Sequence, residues 1–264
     1  MHNHNIDEIA YSSRMLNWSP LGKFILMIFL LIGSLLADSL VVPIVVFCIG
    51  AALLFYSTNF KIPKIIGLAL AASLVTILFS CIIILFVTAG DTMLYEGTIL
   101  GLGYTITDGG LRLATLILVR SIAGMTVMLS FATSTPVPYL AHAMRQIHLP
   151  KEITELVVLI YRYSFLLLEE LQTMWTAASC RLGFHGLKNK VRTTSKIAVG
   201  LFIKSLDITD RAQIALQCRN FNGEFPSYRL PKNISAAWII VPIISFILLY
   251  FLNIYTRGWI VIGA

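Results

Sequence analysis

The chain has 264 residues, 57% of them hydrophobic and only 12% charged, with a net charge of +7. A soluble domain of this length carries about 25% charged residues, and here the apolar residues gather in long blocks, so the pattern excludes an ordinary soluble domain and fits the membrane class. The positive charge therefore has to be read by where it falls. The four cysteines, Cys48, Cys81, Cys180 and Cys218, form no CxxC pair, and Cys48 and Cys81 sit inside apolar runs. Neither a disulfide framework nor a zinc site is expected from them.

The polar N-terminal stretch runs for more than twenty residues before the first apolar block, the wrong order for a cleavable signal peptide. A membrane-spanning helix needs about 20 apolar residues to cross about 30 Å of hydrocarbon. Five segments qualify: residues 23–37, 39–56, 65–88, 111–133 and 236–255. The first two, joined at Asp38, read as a tight hairpin. Ser19 is a predicted cap for the first span, and Pro20 suits its opening turn because the missing N–H has no use there. The fourth span is apolar apart from Arg112 and Arg120, and Ser134, Pro136 and Pro138 mark its exit.

Orientation follows from the basic residues. Arg14 and Lys23 precede the first span, Lys61 and Lys64 lie between the second and third, and residues 136–233 hold thirteen Lys or Arg. The loop 89–110 has none and carries Asp91, Glu96 and Asp108. The positive-inside rule then predicts a cytoplasmic N-terminus, an external C-terminus and a cytoplasmic segment 136–233. The expected architecture is all-α: four spans within residues 1–135, a cytoplasmic region over 136–235, and a last span within 236–264.

Residues 153–175 are rich in Leu, Ile and aromatics, with an apolar face at helical spacing interrupted by Glu152, Glu155, Arg162, Glu169 and Glu170. This predicts a long amphipathic helix at the cytoplasmic surface. A sixth span is the alternative, at a cost of several kcal/mol for burying Arg162 and the Glu169–Glu170 pair. A second amphipathic helix is predicted over 202–219, with a slight break near Leu206 or Asp207 and a stop at Asn222, Gly223 and Pro226.

These two helices finish alike. One ends Cys180-Arg181-Leu182-Gly183-Phe184 and the other Cys218-Arg219-Asn220-Phe221, each followed by a glycine (Gly186, Gly223) suited to a left-handed helix end. An arginine near a helix C-terminus complements the macrodipole for about 0.3–1 kcal/mol, which explains one such residue. Two of them on one cytoplasmic segment favour docking, because a guanidinium offers a fork of donors to a partner's carboxylate.

Other residues carry two readings each. Arg120, near the middle of its span, is a functional candidate or a cation fixed by backbone carbonyls or a buried acid. Arg112 can snorkel to water. Lys188, Lys190, Arg192 and Lys196 form a basic stripe that contacts anionic headgroups or is simply solvated; without interleaved aromatics it does not point to nucleic acid. His2 and His4 on a terminus make a poor metal cage, and His142, His148 and His185 read as polar surface residues. No metal site is expected.

The run 156–163 (Leu-Val-Val-Leu-Ile-Tyr-Arg-Tyr), with Glu169, 178–181, Arg211-Ala212 and 217–221, resembles the T component of energy-coupling factor (ECF) transporters. The start (residues 6–14 and 19–23) and the run Thr133-Ser134-Thr135-Pro136 are similar to its cobalt-type branch, the CbiQ family, and the match keeps its order over nearly the whole chain. The resemblance implies a multi-pass protein of the bacterial cytoplasmic membrane that joins a substrate-binding S component, CbiM-like in this branch, to two ATP-binding cassette ATPase subunits. Two coupling helices then end in Ala-Arg-Gly-like triplets, which map to Cys180-Arg181-Leu182 and Cys218-Arg219-Asn220; both keep the arginine and lose the flanking Ala and Gly. No cofactor is implied for this chain, since ATP and Mg would be held by the ATPases, and no GxxxxGK[ST] run is present. Cobalt is the first expected cargo and nickel the second, with a vitamin also open. A membrane enzyme would want a cluster of His, Asp or Glu at the interface, and a self-sufficient secondary transporter would want inverted repeats; the sequence offers neither.

Overall fold

The computed structural model describes residues 6–59, 64–87, 93–99, 102–147, 149–221 and 237–256. Among the described residues, nine helices and one two-stranded sheet follow in order: α1 (Ile6–Tyr11), α2 (Pro20–Leu35), α3 (Val41–Ser57), α4 (Lys64–Val87), β1 (Met93–Ile99), β2 (Leu102–Thr107), α5 (Asp108–Ser134), α6 (Val137–Gln146), α7 (Lys151–Cys180), α8 (Leu187–Cys218) and α9 (Ala237–Thr256). The chain divides into two compact units, Met1–Leu140 with Pro231–Ala264, and Ala141–Leu230.

The first unit contains all five predicted spans. α4, α5 and α9 are long and apolar enough to cross a membrane, and α2 and α3 are shorter apolar helices. The protein is thus an all-α, multi-pass membrane protein, with one addition: the loop between α4 and α5 carries the antiparallel pair β1–β2, in register from Ile99 opposite Leu102 to Tyr95 opposite Ile106. α2 starts as its sequence predicts, with Ser19 Oγ accepting from the Gly22 N–H at 3.4 Å and Pro20 in the first turn. α5 begins three residues before the predicted 111, because Thr107 Oγ1 accepts from the Gly110 N–H at 3.2 Å and Asp108 meets the positive end of the helix dipole.

The core of this unit joins Met27, Leu30 and Ala37, Val42 and Val46 of α3, Ala123 and Val127 of α5, and Leu249 of α9. Small residues let the backbones close up. A Cβ on Gly50 would lie 2.9 Å from the Val127 side chain, and one on Gly22 would lie 2.9 Å from Trp238 Cβ. Such contacts are how helices associate where burial from water supplies no drive between them.

The second unit is an antiparallel helix hairpin. Gly183 with Thr193, Met174 with Gly200, and Glu170 with Lys204 step away from the α7–α8 turn in register. α7 matches the predicted amphipathic helix and runs on to Cys180. α8 differs from its prediction: it begins at Leu187, not 202, and has no break at Leu206 or Asp207. Its first turns, residues 187–196, are mostly polar and precede the apolar run 197–203, yet they contain no proline and no glycine, so propagation from the Gly186 N-cap meets no obstacle. The predicted stop residues Asn222, Gly223 and Pro226, and His2, His4 and His148, lie outside the described residues.

Candidate functional site

The two arginine-ended helices finish in the same backbone motif. At the end of α7, the Gly183 N–H donates to the Ala178 carbonyl at 2.9 Å and the Leu182 N–H to that of Ser179 at 3.0 Å. At the end of α8, the Phe221 N–H donates to the Leu216 carbonyl at 3.1 Å and the Asn220 N–H to that of Gln217 at 3.1 Å. These are paired Schellman closures, each with a residue of positive φ immediately after the cap. The arginines occupy the cap itself, with φ, ψ of −91°, 14° at Arg181 and −93°, 13° at Arg219. The left-handed residue is not the expected glycine. It is Leu182 (φ 54°) at one end and Asn220 (φ 50°) at the other. Gly186 does have a positive φ of 81°, but it serves as the N-cap of α8. Asparagine tolerates this conformation through local polar contacts, whereas for a branched residue it costs about 1–2 kcal/mol.

This geometry weighs against arginines that serve only to cap. The carbonyls of Ala178, Ser179, Leu216 and Gln217, which a helix end leaves orphaned, already accept from backbone N–H groups. Arg181 and Arg219 are exposed, as are Cys180 and Cys218 beside them. Among the described residues neither arginine has an ion-pair partner. Both guanidinium groups therefore stand at fixed backbone positions with their donors available.

Each end is braced differently. Beyond Arg181, Phe184 stacks on Trp175 with ring centroids 4.3 Å apart, and Thr193 Oγ1 donates to the Gly183 carbonyl at 2.7 Å. The α7 end and the start of α8 thus form one block. The α8 end borders an open groove of about 290 Å³ lined by Leu159 and Tyr163 of α7 and by Ala212, Leu216 and Phe221. The structure does not bring the two arginines together: the Arg181 end lies level with Thr193, and from there to Arg219 α8 runs about 39 Å at 1.5 Å rise per residue.

The other predicted residues fall elsewhere. Arg162 and Glu169 are exposed on α7. The α7–α8 ion pair uses Glu170, whose carboxylate lies 3.6 Å from Lys204, and Arg211 pairs with Asp207 within α8 at 3.7 Å. Arg120 donates through Nη2 to the carbonyl of Ala37, just past the end of α2. Asn253 of α9 brackets the same turn, accepting from the Asp38 N–H at 3.2 Å and donating to the Leu36 carbonyl at 3.4 Å. The Arg120 guanidinium is thus held through Nη2 by a backbone carbonyl, while its buried Nε has no hydrogen-bond partner among the described residues. Among the described residues no three His, Cys, Asp or Glu side chains gather as a metal site.

Sequence reasoning missed Lys23, counted there only as a topology charge. Its side chain is 6% exposed. Nζ donates to the Ser134 carbonyl at 2.7 Å and to that of Met15 at 3.0 Å, while Ser13, Ser57 and Thr133 link their hydroxyls alongside. The two cations are reciprocal. Lys23, at the start of α2, holds the last carbonyl of α5; Arg120, within α5, holds a carbonyl at the end of α2. Each pair of anchor points is fourteen residues apart, 23 to 37 and 120 to 134. The weak signal for Lys23 was its place just inside a capped, otherwise apolar helix.

Comparison with known proteins fits this geometry. The family model described as cobalt transport protein, CbiQ, matches residues 12–228. An uncharacterised protein of Methanocaldococcus jannaschii is 27% identical over 262 residues, covering 97% of this chain and 95% of that one. A putative fused cobalt transport protein CbiMQ of Methanocorpusculum labreanum is 26% identical over 223 residues, 83% of this chain and 37% of the fusion. A cobalt transport protein CbiQ of Rhodobacter capsulatus is 31% identical over 122 residues, 46% of this chain and 50% of that one. With five apolar helices in one unit, an arginine-ended hairpin in the other, and a family match over most of its length, the chain belongs to the CbiQ cobalt transport protein family.

Proposed function

We propose that this chain is the transmembrane coupling (T) subunit of an ECF-type importer and performs no catalysis itself. In this reading Arg181 and Arg219 each seat on one of two ATP-binding cassette ATPase subunits, which hold ATP and Mg. The helix hairpin follows those subunits as ATP closes them, and the motion reorients an S component of the CbiM kind so that it releases cobalt to the cytoplasm. The distribution of Lys and Arg supports a cytoplasmic N-terminus and a cytoplasmic hairpin. The existence of a fused CbiMQ relative supports the S-component assignment.

The observation that carries the proposal is the pair of matched helix ends: the same backbone closure, the same residue at the cap, and about 39 Å between them along α8. One docking point would need one such end; two well-separated ones suit two engines. Physically, ATP then biases a two-state assembly through contacts that differ between its states.

The test is Arg181→Glu combined with Arg219→Glu. Reversing both charges should abolish co-purification of the ATPases and cobalt uptake while leaving membrane insertion and yield of the chain unchanged. Wild-type uptake and complex yield from the double variant would overturn the proposal.

A further inference from the structure

The two helix ends share a backbone but not a charge environment. From Leu171 to Leu206 the sequence contains six Lys or Arg and no Asp or Glu. Of these, Arg181, Lys188, Lys190, Arg192 and Lys196 are exposed, while Lys204 pairs with Glu170. The Thr193–Gly183 hydrogen bond and the Trp175–Phe184 stack hold the first turns of α8 against the end of α7. Lys188 to Arg192 rises only about 6 Å along the helix. Lys188 and Arg192, four residues apart, share one face of α8 beside the α7 end, whereas Lys190 lies about 160° round the helix from Lys188. Around the other end, Asp207 and Asp210 balance Arg211 and Arg219, and on the neighbouring stretch of α7, Glu152 and Glu155 balance Lys151 and Arg162.

We infer that the Arg181 end docks on a carboxylate-rich surface of one ATPase, with Lys188 and Arg192 as part of the footprint, whereas the Arg219 end docks through its single arginine and uncharged contacts. The inference rests on the coupling role proposed above and adds that the two docking sites differ in electrostatic character. A cluster of cations against carboxylates is attenuated by salt far more than one short-range pair beside an apolar groove, because each added charge pair is screened as the Debye length falls from about 10 Å at about 0.1 M to about 3 Å at about 1 M.

Native cysteines report each end separately, since Cys180 and Cys218 are exposed at equivalent positions beside the two arginines. The experiment measures alkylation of each by mass spectrometry in the detergent-purified complex with its ATPases, across this salt range. Both thiols should be shielded at low salt. Raising the salt should speed Cys180 modification by about tenfold and Cys218 by less than about twofold, as expected for screening of several pairs against one. The double variant Lys188→Gln, Arg192→Gln should flatten the response at Cys180 and leave Cys218 unaltered.

If both thiols respond to salt alike, or the double variant leaves the Cys180 response intact, the charge asymmetry is wrong and the coupling role stands. Should the ATPases shield neither thiol at low salt, the coupling role itself fails and the asymmetry falls with it. A Cys180 shielded without ATPases in phosphatidylglycerol vesicles, but not in phosphatidylcholine vesicles, would assign the basic surface to lipid and overturn the inference.

Discussion

The transmembrane unit and the helix hairpin treat their side chains in opposite ways. In the first, even charged groups are enclosed: Lys23 is 6% exposed and both Lys23 and Arg120 donate to backbone carbonyls. In the second, α7 buries Thr154 alone among its 30 residues and α8 buries Ile197 alone among its 32. Large apolar side chains of α8 such as Leu187 (83%), Phe202 (65%) and Ile214 (60%) stand exposed. One unit has a buried core and leaves its remaining apolar faces, with Leu68, Val75, Phe79 and Phe251, to lipid; the other has almost no core, and its apolar and cationic faces are left for other surfaces. Damage to the first should therefore register as lost stability of the chain, and damage to the second as lost assembly.

The sharpest way to break that contrast is a matched pair of truncations. Leu30→Ala removes a side chain that is 1% exposed and should lower the unfolding free energy in detergent by about 2–5 kcal/mol. Phe202→Ala removes a larger one and should change it by less than about 0.5 kcal/mol in the isolated chain. A comparable loss from Phe202→Ala would mean that the hairpin is as self-contained as the bundle. Next in size, Lys23→Met leaves the carbonyls of Ser134 and Met15 without their donor, and should cost about 1–3 kcal/mol. Denaturant titration in detergent reads this directly, and partial recovery by Lys23→Arg would identify the hydrogen bonds as the cause. The smallest effects come from the helix ends. Leu182→Gly should stabilise the hairpin by about 1 kcal/mol through relief of the left-handed backbone, while Asn220→Gly should change it by a few tenths. Hydrogen exchange at the α7 and α8 C-termini resolves the two.

The spans were legible because their signal is gross: a sustained apolar run has few structural alternatives, and Ser19-Pro20 announces the start of α2. The β1–β2 pair was less so. Its stretch was weighed for charge, and the β-branched and aromatic residues Tyr104, Thr105, Ile106 and Thr107 were passed over as loop. The start of α8 was placed too late because Lys, Asn and Thr dominate its first turns, and a helix stabilised mainly by propensity carries little periodicity to read. At the candidate site the arginines and their spacing were visible, but the left-handed residues were assigned to glycine on general preference. Lys23 was hidden for another reason. Its partners are main-chain oxygens of Met15 and Ser134, and no pattern of side chains in one sequence encodes which carbonyl a cation will meet.

The reciprocal anchoring of α2 and α5 has a mechanical corollary. Two cations near opposite ends of an antiparallel pair resist shear in both directions: a slip by one helical turn, about 5.4 Å, would strip Lys23 from Ser134 and Arg120 from Ala37 at once. Any displacement passed into this pair must then appear as tilt or rotation of a single stiff strut, not as one helix gliding along the other.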